Sequence, residues 1–410
     1  MTVATGTARP PASLLEGVRV LDLTNVLSGP YATYQMAMLG AEVIKVENPR
    51  EGDLARKLGA ASALNERMLG TSFLAQNAGK KSVSIDLKHP EGKALFGGLL
   101  ATADVLVENF RPRVMERLGF AYQAAKEINP RLVYCSITGF GQDGPLSGNP
   151  AYDQIVQGLS GVMSITGDAQ SAPLRVGYPL CDTLGGMAAA FAVVSALYRR
   201  HETSEGAYID LSMLDATISA MGWAVSNYLI AGVEAKPIGN ENMTAAPSGA
   251  FRCADAQINI AANKQEQFER LCEIIGRPGL AADPRFAQRE ARKANRAALN
   301  ALIEEALQSR SAAEWESLLN AQGVPAGRIL TIPQILAHPQ IAARDLVQEL
   351  AMDGAGIDTV KVVRAGYTLA DSQPGARCPP PLLGADNAAI FGELGLGAEE
   401  LGRLGNVGAI

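Results

Sequence analysis

Five short apolar segments, separated by helix-forming stretches, dominate the first third of the chain: GVRVLDLT (17–24), AEVIKVE (41–47), KSVSIDL (81–87), ADVLVENF (103–110) and RLVYCSITGF (131–140). Segments of this length, bounded by turn residues, read as strands. Pro30 and Pro90 stand as first helical residues after the first and third strands, and further helices are predicted near 112–118 and 121–127. Strands that alternate with helices in this way build a parallel, doubly wound α/β sheet, which receives its ligands at the carboxyl ends of the strands. Two long apolar helical stretches follow Asp182, with the strand GAYIDLS (206–212) between them. From about 234 the composition shifts to a loop, then to AFRC, INIAA, charged helices and GVPAGRIL (323–330), which predicts a smaller α+β domain. The expected organisation is a large domain over 1–225, a small one over 226–330, and a linker and tail over 331–410 that returns to the first.

The length of 410 residues accommodates two or three domains. Hydrophobic residues at 47% and charged residues at 19% exclude wholesale disorder and fibrous or disulfide-scaffold classes. A net charge of −6 gives no electrostatic case for nucleic acid or an anionic membrane surface, so small-molecule partners are expected. Cys135, Cys181, Cys253, Cys272 and Cys378 lack CxxC pairing or nearby histidines, which predicts reduced core thiols and no metal site. The N-terminal seventeen residues carry no apolar leader pattern, so a cytoplasmic location is expected. The uncharged stretches 183–198 and 216–233 are rich in small residues and read as buried helices rather than membrane spans.

GFGQDG (139–144) matches G-x-G-x-x-G after a strand, but Gly144 is followed by Pro145 and more loop instead of a phosphate-binding helix, which argues against a nicotinamide cofactor. The three histidines, His89, His201 and His338, are all placed in surface turns, and no G-x-S-x-G elbow exists, which argues against a Ser-His-Asp enzyme. Asp182, in VGYPLCDTLGGMAAAF, precedes a long apolar helix. Two roles are compatible there. An aspartate before a helix is a favoured N-cap for the orphan amides of the first turn. A carboxylate held by those amides stays ionised, and beside Gly185–Gly186 it can also attack an activated carbonyl.

Taken together, LEGVRVLDLTNVLSGP (15–30), GAEVIKVENPREGDLAR (40–56), NAGKKSVSIDLKHPEGK (77–93), ADVLVENFRPRVMERLG (103–119), SITGFGQDGP (136–145), AYDQIVQGLSG (151–161) and the Asp182 segment resemble the class III CoA-transferases, the family of formyl-CoA transferase and the carnitine CoA-transferases. The resemblance spans essentially the whole chain. It implies a Rossmann-like large domain built from both chain ends, a small domain reached by linkers, and an interlocked homodimer. It assigns Asp182 as the acyl-carrying nucleophile and implies CoA contacts at Val26, Ser28, Asp86, Leu87, Lys88, Asn109, Arg117 and Tyr152. Arginine and lysine there would supply charge-assisted bonds to phosphate oxygens.

Two departures stand out. Asn48 occupies the place of a phosphate-contacting arginine, so Arg50 or Arg56 is expected to supply that charge. The glycine-run loop of formyl-CoA transferase is replaced by GNENMTAAPSGAF (239–251), which implies a different acid substrate. The activity implied is CoA transfer from an acyl-CoA thioester to a carboxylic acid, such as a dicarboxylic or hydroxydicarboxylic acid, through an aspartyl mixed anhydride and an aspartyl-CoA thioester, with no bound cofactor or metal. The main rival is an α-methylacyl-CoA racemase; its histidine is replaced here by Tyr152, a poor base near neutrality. A non-catalytic acyl-CoA-binding protein is the other alternative.

Overall fold

The computed structural model describes residues 13–352, 356–370 and 372–410; most of the N-terminal segment read above for a leader lies outside them. Strands β1 (Arg19–Leu23), β2 (Glu42–Glu47), β3 (Lys80–Ser84), β4 (Val105–Glu108), β5 (Val133–Thr138) and β6 (Ala207–Ser212) form one all-parallel sheet in the order β3-β2-β1-β4-β5-β6. Successive strand residues face opposite sides of the sheet. Val20, Val43, Val105 and Val133 accordingly enter one core with Ala32, Met36, Cys181 and Val193, while Leu21, Ile44, Val83 and Leu106 enter another with Phe96, Leu99, Phe391 and Leu404. Both faces are covered, as a parallel sheet requires.

The expected helices are present at Ser28–Met38, Pro90–Thr102, Val114–Leu118 and Tyr122–Ile128, but the first starts two residues earlier than expected, so that Pro30 is its third residue, whereas Pro90 does open its helix. His89 caps Pro90–Thr102, its ring nitrogen accepting the Glu91 amide. His201 does not lie in a turn: the helix Leu180–Thr203 runs through it and stops where Ser204 enters the left-handed region at φ 63°. By length and composition alone that helix could cross a bilayer; it is not buried throughout, as expected of 183–198, but buries one stripe, Cys181, Gly185, Gly186, Ala189 and Val193, against the sheet and leaves Phe191 exposed. The stretch 216–233 departs from expectation. It folds as Met213–Ala220 and Trp223–Ala231, broken at Gly222, and the second helix buries no residue, leaving Ile230 86% exposed. Its apolar composition signals a need for cover, which the described residues do not supply.

The chain divides into two compact units. The first runs to Val162 and includes Arg175–Gly232 and Ala342–Ile410; the second comprises Met163–Leu174 and Val233–Ile341. The boundaries drawn at 225 and 330 thus fall at Gly232 and Ile341. The segment Met163–Leu174 joins the second unit through contacts such as Gly239 N–H to the Gly167 carbonyl (2.7 Å), which no local pattern announces. In the tail of the first unit, β10 (Val347–Ala351) and β11 (Thr359–Val363) pair antiparallel, and the Asp386 and Asn387 side chains accept the amides of Ser82 and Ser84 at 2.8 and 2.9 Å, covering the edge strand β3. The second unit carries an antiparallel sheet of β7 (Ser248–Arg252), β8 (Gln257–Ala261) and β9 (Ala326–Arg328), packed through Phe251, Ile258 and Ile260 on helices that contribute Phe268, Ile303 and Trp315. The protein is therefore a mixed α/β chain, with one large parallel sheet and two small antiparallel ones.

Candidate active site

The strand order reverses between β1 and β4, and the crevice at such a reversal, beyond the carboxyl ends of the strands, is where open α/β sheets bind ligands. A cavity of about 260 Å³ lies there. The turn Asn25–Ser28 after β1, Asn109–Pro112 after β4 and Thr138–Phe140 after β5 form much of its wall, with Tyr152, Asp182 and Met213. Val26 is held at φ 67°, a left-handed conformation unfavourable for a β-branched residue. Asn109 accepts the Asn25 amide and donates to the Asn25 carbonyl, both at 2.8 Å, so its side-chain amide braces the turn across to β4. Glu108, not singled out from the sequence, accepts the Phe110 amide at 2.8 Å and the Ser136 hydroxyl, fixing the start of the β4 loop. Burial pushes its carboxyl up to about 7 against those two hydrogen bonds.

Asp182 is not the N-cap. The helix begins at Leu180 with Pro179 in the cap position, so Asp182 is the third helical residue. The orphan amides are taken by another carboxylate: Asp153 Oδ1 accepts the Cys181 amide at 2.8 Å and the Asp182 amide at 3.4 Å, while Oδ2 accepts from Gln157 Nε2 at 2.7 Å. The Asp182 side chain is thereby left free to line the cavity. Nor does the helix end keep it acidic, as the N-cap reading expects. Burial, reinforced by the neighbouring Asp153 charge, pushes the Asp182 carboxyl up to about 7. A carboxylate of this kind, once ionised, is a stronger nucleophile than one quenched by amides, and about half of it is ionised at pH 7. Asp153 escaped the sequence reading; the signal available was an acidic residue at the first position of its own helix, Asp153–Leu159, in a segment with no basic residue.

The structure brings Val26, Ser28, Asn109, Tyr152 and Asp182 to one cavity. Ser28 begins the helix Ser28–Met38, whose start abuts the Asp182 helix: a Cβ on Gly186 would stand 2.5 Å from the Ser28 carbonyl oxygen. Asp86, Leu87, Lys88 and Arg117 do not line the cavity. The first three follow β3 in a turn where Asp86 Oδ1 accepts the Lys88 amide at 2.9 Å and Leu87 packs on the core; Arg117 is exposed on the helix Val114–Leu118. Arg56 cannot replace the arginine missing at Asn48. It is fully buried, paired with Glu47 at 2.6 and 2.7 Å and stacked 3.7 Å over the Phe73 ring, whereas Arg50 is exposed. The loop that replaces the glycine run is tied within the second unit by Glu241, which pairs with Arg296 at 2.6 Å. None of the three histidines lines the cavity.

Comparison with known proteins follows the same lines. Residues 15–387 match the profile of CoA-transferase family III. The chain is 40% identical to an acetyl-CoA:oxalate CoA-transferase of Acetobacter aceti, covering 94% of this chain and 96% of that protein. It is 34% identical to a human succinyl-CoA:glutarate CoA-transferase, over 95% and 89% of the two chains. Among solved structures, a CAIB/BAIF family protein from Brucella suis superposes with a TM-score of 0.83 at 34% identity, over 94% of this chain and 100% of that one.

Proposed function

The chain belongs to CoA-transferase family III, and from that membership we propose that it moves CoA from an acyl-CoA to a dicarboxylic or hydroxydicarboxylic acid with Asp182 as the nucleophile. The observation that carries this reading is the Asp182 carboxyl opening into the switch-point cavity while Asp153 occupies the helix amides. The relatives named for oxalate and glutarate support the class of acceptor.

The Asp182 carboxylate adds to the thioester carbonyl; the C–S bond breaks, CoA leaves as thiolate, and an aspartyl–acyl anhydride remains. The thiolate then attacks the aspartyl carbonyl, expelling the donor carboxylate and leaving an aspartyl-CoA thioester. The acceptor carboxylate displaces CoA thiolate from it, forming a second anhydride. Attack of the thiolate on the acceptor-derived carbonyl releases the new CoA ester and regenerates the Asp182 carboxylate. Each step is a carboxylate or thiolate exchange, so the chemistry needs an ionised nucleophile, a polarised carbonyl and exclusion of water from the anhydride. CoA is a substrate here, with its phosphate end directed toward Lys88 and Arg117 at the same end of the sheet.

The test is incubation with succinyl-CoA or acetyl-CoA and a panel of carboxylic acids, with mass spectrometry of every CoA ester formed. Transfer by wild type, its loss in Asp182→Asn, and hydroxylamine trapping on Asp182 support the reading. Transfer at a near-normal rate by Asp182→Asn would end it. Exchange of the α-proton of a 2-methylacyl-CoA in deuterated water, without any new ester, would make the protein a racemase instead.

The same reading includes an interlocked homodimer. Phe191 on the Asp182 helix and Leu229 and Ile230 on Trp223–Ala231, all at least 75% exposed, support a subunit contact. Light scattering should give a dimer that Leu229→Asp with Ile230→Asp weakens; a monomeric wild type would remove this element.

A further inference from the structure

We propose that the buried Lys45–Asp53 pair positions the turn that receives the acyl-CoA, which makes both of them positioning residues; the inference rests on the transfer reading above. The turn joins β1 to the helix Ser28–Met38, and its start and its middle are gripped by the two partners of one ion pair. Asp53 Oδ1 accepts the Val26 amide at 3.0 Å and the Ala55 amide at 2.8 Å, while Oδ2 meets Lys45 Nζ at 2.9 Å. Lys45 Nζ in turn donates to the Thr24 carbonyl at 2.8 Å. Both side chains are withdrawn from solvent.

Three properties give the arrangement its function. Val26 sits at φ 67°, where its branched side chain opposes the backbone, so this conformation persists only if something outside the turn holds it. Lys45 keeps its charge: burial works against it, but Asp22, Asp53 and Glu47 outweigh burial and keep its pKa above the usual lysine value. A buried ion pair adds little net stability over well-packed apolar side chains. What it adds here is direction, with one donor and one acceptor aimed at backbone groups two residues apart. Leu27 and Ser28, immediately beyond, belong to the cavity wall, so a turn released from the pair presents a displaced surface to the CoA ester and weakens its binding.

The test uses the full chain with Asp53→Ala, and with Lys45→Met as a second variant that leaves Asp53 on Val26. At a temperature where the variants are folded, hydrogen–deuterium exchange read at residue resolution should accelerate at least about tenfold at Val26 in Asp53→Ala, while Leu21 and Val107 keep their protection. KM for the CoA ester should rise at least about tenfold with kcat within about threefold of wild type, and Lys45→Met should show a smaller rise in KM. A Val26 amide as protected as in wild type, or an unchanged KM with kcat reduced in proportion to the folded fraction, would overturn the proposal. A wild type that binds no CoA ester by calorimetry would instead overturn the transfer reading, with the exchange measurement still deciding whether the pair holds the turn.

Discussion

The Asp153 carboxylate accepts the backbone amide of Asp182 at 3.4 Å and at the same time repels the Asp182 side chain's negative charge. One residue therefore fixes where the Asp182 carboxyl, the proposed nucleophile, stands and how readily it ionises. The pH dependence of kcat/KM should carry an acidic limb near 7, because protonated Asp182 cannot attack. Asp153→Asn removes the like charge while keeping an oxygen for the amides, so the limb should move down by about 0.5–1 pH unit. A pH–rate profile of the two proteins decides this; coincident limbs would show that Asp153 does not tune the nucleophile.

Stability should respond to the same group with the opposite sign from an ordinary salt-bridged aspartate. Its folded pKa lies above the unfolded one, so its favourable contribution is complete below about pH 4 and is lost as pH rises through about 7. Asp182→Asn should thus be more stable than wild type at pH 8 by about 2 kcal/mol, less than the full shift implies because the carboxyl opens to the cavity. The difference should close toward pH 4. Thermal melts at the two pH values measure it.

Gly186→Ala tests the contact between the two helix starts that frame the cavity. The added Cβ would meet the Ser28 backbone oxygen at 2.5 Å and the Tyr31 side chain at 3.0 Å, so the helices must separate. Overpacking of this kind costs about 1–3 kcal/mol, and transfer should fall more than the melting temperature alone explains. A chemical denaturation curve beside the turnover rate provides the check.

Arg117→Ala should weaken binding of any CoA ester by about 1.5–3 kcal/mol, the contribution of a charge-assisted hydrogen bond, without altering the preference among acyl groups. The residue is exposed and outside the cavity, which suits a contact to the phosphate end of the substrate. Calorimetric titration with acetyl-CoA, succinyl-CoA and free CoA would reveal any acyl-dependent effect.

The parallel sheet was legible because its strands are short apolar runs that recur between helices, a pattern that depends only on neighbours in sequence. The site was legible in part. Asp182 stands out by the glycines that follow it, but the carboxylate that controls it lies 29 residues earlier, and the pairing of Asn25 with Asn109 spans 84 residues. Neither relation has a local signature. Arg56 read as a free cation because its partner Glu47 ends a different element; the clue was the strand itself, EVIKVE, three of whose six residues, Glu42, Lys45 and Glu47, are charged. The bare apolar helix Trp223–Ala231 read as buried because composition reports the need for cover and not what provides it.

The return of the last residues to the edge of β3 has a consequence for how the protein is made. Residues 386–387 hold the amides of Ser82 and Ser84, and Phe391 and Leu404 fill one face of the sheet. The large unit therefore cannot close until residues 386–404 have been synthesised and have left the ribosome, although more than three hundred residues have by then emerged. The second unit, apart from its short segment 163–174, is contiguous and complete by residue 341, so it can fold during synthesis. Until those residues arrive, β3 stays an open edge able to pair with another nascent chain, and slowing elongation beyond residue 341 should raise aggregation more than slowing initiation does.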